Sequence, residues 1–162
     1  MSFGAYCSDT KGLRTVNITV RDAVRGDIPS LCHIEEECFS SPWSANSFED
    51  FFANGCSQCL VAECGGEILG YVGMNVILGE GEITNLAVLD KYRRQGVGEM
   101  LMKKLADTEG LERLLLDVRV SNTAARRLYE KLGFKVDGVR KGFYSKPRED
   151  AVLMSCDIEI NS

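Results

Sequence analysis

Positive charge in excess, a second histidine and any apolar run long enough to cross a bilayer are all missing from this 162-residue chain. With 19 Lys and Arg against 24 Asp and Glu the formal net charge is −5. No broad positive field is therefore on offer to a phosphate backbone, which argues against direct nucleic-acid binding and suits a cationic partner better. The longest apolar stretches, such as residues 83–89, fall well short of the roughly 20 residues that span a membrane, so no membrane role is expected. Residues 1–14 lack the basic segment and continuous apolar core of a secretory signal and read as a loose leader on a cytoplasmic protein. Repeats, low-complexity tracts and Pro/Gly/Ser linkers are also absent, so residues 15–160 read as one domain. A composition of 44% apolar and 27% charged residues is globular and excludes disorder, collagen and coiled coil.

Seven cysteines is an odd number, in a chain large enough to build a core without staples, which points to reduced thiols. Cys56-x-x-Cys59 followed by Cys64 is the one spacing that could begin a zinc or redox site. Against it, His33 is the only histidine, and SQCLVAEC reads as a strand in which thiols are small apolar fillers, so no metal is expected. His33 itself reads as a surface or half-buried helix residue with no partner at helical spacing.

The order of elements is more informative. Residues 15–21 alternate as a strand, and Asp27 then caps a helix whose apolar positions are Ile28, Leu31, Cys32, Cys38 and Phe39. Ser44 or Asn46 caps a second helix carrying Phe48, Phe51 and Phe52. Strands follow at 57–64, 67–78 and 82–88, the first two joined as a hairpin by Gly65-Gly66. A helix with Val97, Met100, Leu101 and Leu105 on one face comes next, then a strand at 113–119. Ser121 or Asn122 caps a last helix with Ala125, Leu128, Tyr129 and Leu132, which Gly133 stops, and two strands close the chain at 134–144 and 151–158. The order β-α-α-β-β-β-α-β-α-β-β predicts an α/β fold with a mixed, mostly antiparallel sheet flanked by helices.

Between the strand at 82–88 and the helix lies Arg93-Arg94-Gln95-Gly96-Val97-Gly98-Glu99. Glycines at a helix start let an anion approach free N–H groups at the positive end of the helix dipole, and two arginines add charge. A Walker A loop is excluded, because Glu99-Met100 stand where Lys-Ser/Thr is required. A Rossmann fingerprint is excluded by Leu101 in place of a third glycine.

Arg93-x-x-Gly96-x-Gly98 after this strand resembles the acyl-CoA pyrophosphate motif of the GNAT acetyltransferases, and the element order is similar to theirs over roughly residues 15–160. Pro42-Trp43-Ser44 with Phe48, the stretch LLDVRVSNTAARRLYEKLGF, and Arg148-Glu149-Asp150-Ala151 with Met154 are similar to the ribosomal-protein alanine N-acetyltransferases of the RimI type. The resemblance implies transfer of acetyl from acetyl-CoA to a protein's N-terminal amine, with a ribosomal protein as the acceptor. Alternatives are a GNAT acting on lysine or a small amine, or a degenerate acyl-CoA-binding module. It further implies cofactor contacts at Leu86, Ala87, Val88, Arg93, Arg94, Gln95, Gly96, Val97, Gly98, Glu99 and Asn122, although Asn122 also reads as a plain helix cap. Asp117 stands where RimI-type sequences carry a glutamate general base; by local reading it is an ion-pair partner of Arg119. Tyr129 matches the family's proton donor to the leaving thiolate, and by periodicity alone it is a core aromatic. Tyr144 and Trp43 fall at the peptide entrance by resemblance, with a buried hinge as the other reading of Trp43.

Overall fold

The computed structural model describes residues 6–7 and 16–159. In chain order these form β1 (Tyr6–Cys7), β2 (Val16–Asn17), β3 (Thr19–Asp22), α1 (Ile28–Cys38), α2 (Ala45–Ala53), β4 (Ser57–Cys64), β5 (Glu67–Ile77) and β6 (Glu80–Val88). After them come α3 (Val97–Ala106), β7 (Arg113–Arg119), α4 (Thr123–Lys131), β8 (Lys135–Ser145) and β9 (Arg148–Asp157). One seven-stranded sheet runs β3-β4-β5-β6-β7-β9-β8, antiparallel except between β6 and β7. This is the mixed architecture that the element order predicts. The first strand differs: Ile18, 6% exposed, interrupts it, and β2 pairs with β1. Tyr6–Cys7, within the segment read as a loose leader, is thus strand-paired, and the rest of that segment lies outside the described residues.

Strand alternation divides the apolar side chains into two layers. Cys59 and Val61 of β4 face α1 and α2 with Ile28, Leu31, Ile34, Phe48 and Phe51. Leu60 and Ala62 face the opposite side with Val97, Leu101 and Leu105 of α3, and Leu114, Leu116 and Val118 of β7 join them. Leu115, Asp117 and Arg119 consequently lie half-buried on the face that carries α1 and α2. The buried stripe of α1 is Ile28, Leu31, Ile34 and Glu35, while Phe39 is 38% exposed. The stripe therefore passes through a carboxylate that the apolar periodicity omits.

Helix starts refine the sequence reading. Asp27 stands at the N-cap of α1, but its backbone is already helical and its side chain does not cap the helix. Pro29 in the first turn has no N–H to offer. The Asp27 carboxylate instead accepts two bonds from Arg21, at 2.8 and 3.0 Å, and one from the Val24 amide at 2.8 Å. Ser44, not Asn46, caps α2, and Asn122, not Ser121, caps α4, each accepting at 3.2 Å. Gly133, at φ +95°, ends α4 as expected. His33 does have a partner one turn on, Glu37 at 3.1 Å, on the exposed face of α1.

The feature that positions the site is the parting of β6 from β7. They pair only through Glu80–Arg113, Gly81–Leu114 and Glu82–Leu115. Just beyond, the register of β6 on β5 jumps between Asn85↔Gly73 and Ile83↔Met74, leaving Thr84 as an extra residue. Such a bulge bends its strand. Gly73 makes room for it, since a Cβ there would lie 2.8 Å from Thr84 Oγ1.

The Arg21–Asp27 pair generates a stability test. Asp27→Asn is expected to lower unfolding free energy at pH 7 by about 1.5–3 kcal/mol, the range for hydrogen bonds to a charged group. The Arg21 guanidinium holds the Asp27 carboxyl below its usual range. Its stabilisation is therefore full above the unfolded value of roughly 4 and is lost as pH falls through the folded value. Urea unfolding at pH 7 and pH 3 should show the gap between wild type and variant closing at the lower pH.

Candidate functional site

The loop between β6 and α3 turns through one 3-10 turn at Asp90–Tyr92, then Arg94 at φ +62° and Gly96 at φ +78°. The first amide to find a helical partner is Met100, which donates to Gly96 O at 3.0 Å. The N–H groups of Val97, Gly98 and Glu99 are left pointing out of the helix start. A Cβ on Gly96 would meet nothing within 4 Å, so the space over these amides is open. Gly98 is a place of close approach, where a Cβ would lie 3.2 Å from Leu128 Cδ2 of α4 and 3.9 Å from Val88 Cγ2. The side-chain carbonyl oxygen of Gln95 is buried without a partner beside the loop. Arg93 Nε donates to Val88 O at 3.0 Å, which ties the loop to the end of β6. Glu99 contributes only its amide, because its carboxylate is engaged by Lys103 at 2.8 Å and Lys131 at 2.9 Å. The set fits a pyrophosphate: free amides, a dipole end, two arginines and absent side chains.

On the sheet side of the loop, Leu86, Ala87 and Val88 pair with β5 and have no strand partner toward β7. Among the described residues, no hydrogen bond outside the β5 pairing engages the backbone of Leu86 or Ala87. That edge can accept an extended amide-bearing chain as an added strand. Asn122 lies at the start of α4, where its side-chain oxygen is used by the Ala125 amide.

The opposite wall comes from β7, α4 and β8. Asp117 has no ion pair or side-chain hydrogen bond among the described residues, so the local reading that pairs it with Arg119 fails. Arg119 is taken elsewhere: it donates to Pro147 O at 2.9 Å and Lys146 O at 3.1 Å, meets Glu149 at 3.5 Å and lies over the Tyr144 ring at 4.2 Å. Tyr129 is 6% exposed and tilts against Phe134 at 5.6 Å, yet among the described residues its hydroxyl has no hydrogen-bond partner. Burial, then the neighbouring Tyr144, push its pKa up to about 12. Burial, then the negative charge of Asp117, raise that of Tyr144 as well. Asp117, Tyr129 and Tyr144 thus share one electrostatic neighbourhood.

Trp43 packs in the layer of α1 and α2. It is half-buried between α1 and α2, with ring centroids 5.3 Å from Phe48 and 5.4 Å from Phe51. Its backbone N–H donates to Glu35 Oε2 at 2.8 Å.

Three groups around the site escaped the sequence reading. Glu35 is 1% exposed. Ser40, just after α1, donates to Lys146 O at 2.6 Å and bridges to the β8–β9 turn. Glu149 accepts from the Ser121 amide at 2.6 Å and its hydroxyl at 2.9 Å, fixing the turn ahead of α4. Glu35 left a signal in its place one heptad after Ile28, and Glu149 in the motif Arg148-Glu149-Asp150-Ala151.

Cys32, Cys38, Cys56, Cys59 and Cys156 are free thiols, and Cys59, buried in β4, has its pKa pushed up to about 12. Among the described residues no three His, Cys, Asp or Glu side chains converge, and no helix is long and apolar enough to cross a membrane.

Comparison with known proteins converges on one family. The acetyltransferase (GNAT) family profile matches residues 28–134. A Bacillus subtilis relative is 37% identical over 139 residues, covering 83% of this chain and 92% of its own length. The ribosomal protein bS18-alanine N-acetyltransferase of Escherichia coli K12 is 33% identical over 147 residues, covering 88% of this chain and 99% of itself. The crystal structure of the Escherichia coli ribosomal-protein-S18-alanine N-acetyltransferase superposes with a TM-score of 0.82 at 32% identity, over 90% of this chain and 96% of that one.

The loop geometry sets the first ligand test. Gly96→Val forces a β-branched residue into a left-handed conformation and tilts the amides beyond it. The expected result is CoA affinity at least tenfold weaker, about 1.4 kcal/mol, by calorimetry on a protein whose circular dichroism matches wild type.

Proposed function

Since the chain belongs to the GNAT acetyltransferase family, we propose that it transfers the acetyl group of acetyl-CoA to the N-terminal alanine of a small-subunit ribosomal protein. The observation that carries this reading is the substantial identity, over nearly the whole chain, to enzymes named for that reaction. A ribosomal acceptor also suits a cytoplasmic enzyme.

The chain's own groups divide the work. The amides of Val97, Gly98 and Glu99, with Arg93 and Arg94, bind the pyrophosphate, and the edge of Leu86 to Val88, free at Leu86 and Ala87, aligns the pantetheine arm. Asn122 and Gln95 border that arm. Asp117 removes the proton from the acceptor amine. Its carboxylate is one methylene shorter than the glutamate of RimI-type sequences and withdrawn by roughly an ångström, so a bridging water completes the reach. Tyr129 remains protonated with its pKa near 12. Giving that proton to an ordinary thiolate near 8.5 would run uphill by about 5 kcal/mol, so Tyr129 acts by hydrogen bonding to the sulfur as charge develops. Tyr144 and Trp43 border the acceptor entrance, and the chain's acidic balance draws a basic N-terminal segment toward it.

Two measurements follow. In a competition between a free N-terminal alanine peptide and the same peptide blocked at its terminus but carrying a lysine, the free terminus should be acetylated faster. At pH 7.4 roughly a quarter to a third of α-amines are neutral, against about one lysine in a thousand. Faster lysine acetylation would move the assignment to side-chain substrates. Tyr129→Phe should lower kcat about tenfold or more with acetyl-CoA affinity nearly intact, since the hydroxyl works mainly in the transition state. Full turnover under chemistry-limited conditions would leave Tyr129 as a core aromatic.

A further inference from the structure

We propose that Glu35 is a positioning residue for the acceptor, holding the elbow between α1 and α2 at a fixed distance from the cofactor strand. This rests on the N-terminal acetyltransferase reading for the identity of the acceptor.

Glu35 is the most deeply buried charged side chain among the described residues, and neither Arg nor Lys pairs with it. Such a carboxylate costs several kcal/mol of desolvation, and an apolar residue of similar volume would often serve the core as well. Three donors from three elements offset that cost. Tyr71 of β5 and Asn85 of β6, the latter at 2.8 Å, donate to Oε1, and the Trp43 amide donates to Oε2. Burial and the neighbouring carboxylate push the Tyr71 phenol far up, so it stays a donor.

The partners explain the consequence. Asn85 sits between the Thr84 bulge and Leu86, and Tyr71 is paired with Ala87. Both therefore belong to the frame of the cofactor edge. Trp43 belongs to the elbow, whose Ser40 hydroxyl reaches Lys146 O in the β8–β9 turn. That turn is held in place by Arg119, which also lies over Tyr144. One oxygen of Glu35 thus grips the cofactor side of the slot and the other grips the acceptor side, so the side chain sets the separation between them.

Glu35→Gln separates the two grips. The amide can keep one oxygen on Tyr71 and Asn85, but its NH2 then faces the Trp43 N–H, donor against donor. Leu86 to Val88 remain paired with β5, so the cofactor edge should hold while the elbow loosens. The expected result is an acceptor KM raised about tenfold, with the acetyl-CoA KM changed less than threefold. Hydrogen exchange in residues 39–46 should accelerate in parallel, with exchange in β5 unaltered. Glu35→Asp, which keeps the charge but shortens the reach, is the second variant and should give the same split.

The split is read on whichever amine the wild type acetylates, so a wild type that prefers lysine would overturn the alanine reading and still decide Glu35. Were it to acetylate neither, exchange at the elbow decides. Equal rises in both KM values, no change in either, or failure of both variants to fold would overturn the proposal. The last outcome would mark Glu35 as a requirement of the fold and not of the acceptor.

Discussion

Two parallel strands that pair for three residues and then part are the constraint on which the site depends. β6 keeps its partner β5 and β7 keeps its partner β9, so the separation opens a slot without unravelling either half of the sheet. The parting has a local cause in the extra residue at Thr84, and Thr84 fits only because residue 73 has no side chain. A slot formed this way presents one wall with unpaired backbone and the other with the alternate side chains of β7. The first wall suits recognition by main-chain hydrogen bonds; the second delivers Asp117.

Helix packing places the anion site at the mouth of the same slot. α3 begins immediately after the turn out of β6, and Gly98 lets its first turn press against Leu128 of α4. The amides therefore converge where the β6 edge ends. Glu99 would oppose an anion if its carboxylate were free, but Lys103 and Lys131 neutralise it and hold it below the usual carboxylate range. The loop stays positive even though the whole chain is acidic.

Much of this was legible in the sequence because it depends on local chemistry. The helix at residue 97, the cap at Asn122, the stop at Gly133 and the Gly65-Gly66 hairpin each follow from residue type and spacing within a few positions. What sequence could not supply is set by distance. Arg119 lies two residues from Asp117 and would pair with it on an isolated strand, yet the β8–β9 turn offers it two carbonyls and a carboxylate, and it turns to them. Asp27 occupies a capping position but is claimed by Arg21 from the preceding strand. Glu35 sits in a run of three glutamates, and beyond its heptad spacing from Ile28 it is the approach of β5 and β6 that shows it to be buried.

The groups proposed for the chemistry share a logic. By resemblance an aspartate stands on β7 where the family carries the longer glutamate, and among the described residues its carboxylate has no ion pair. Opposite, burial holds the Tyr129 phenol protonated, which keeps it a hydrogen-bond donor and makes it a poor acid. In the roles proposed for Asp117 and Tyr129, a short-armed base and a reluctant acid are poorly matched to an amine that must surrender a tightly held proton. They are well matched to an α-amine, a substantial fraction of which arrives neutral near physiological pH. Under that reading the chemical groups can be modest if the reactants are well placed, because orientation alone supplies a large part of a bimolecular barrier. The weight then falls on the parts that fix geometry: the bulge, the helix start, and the buried carboxylate that ties the elbow to the cofactor strand.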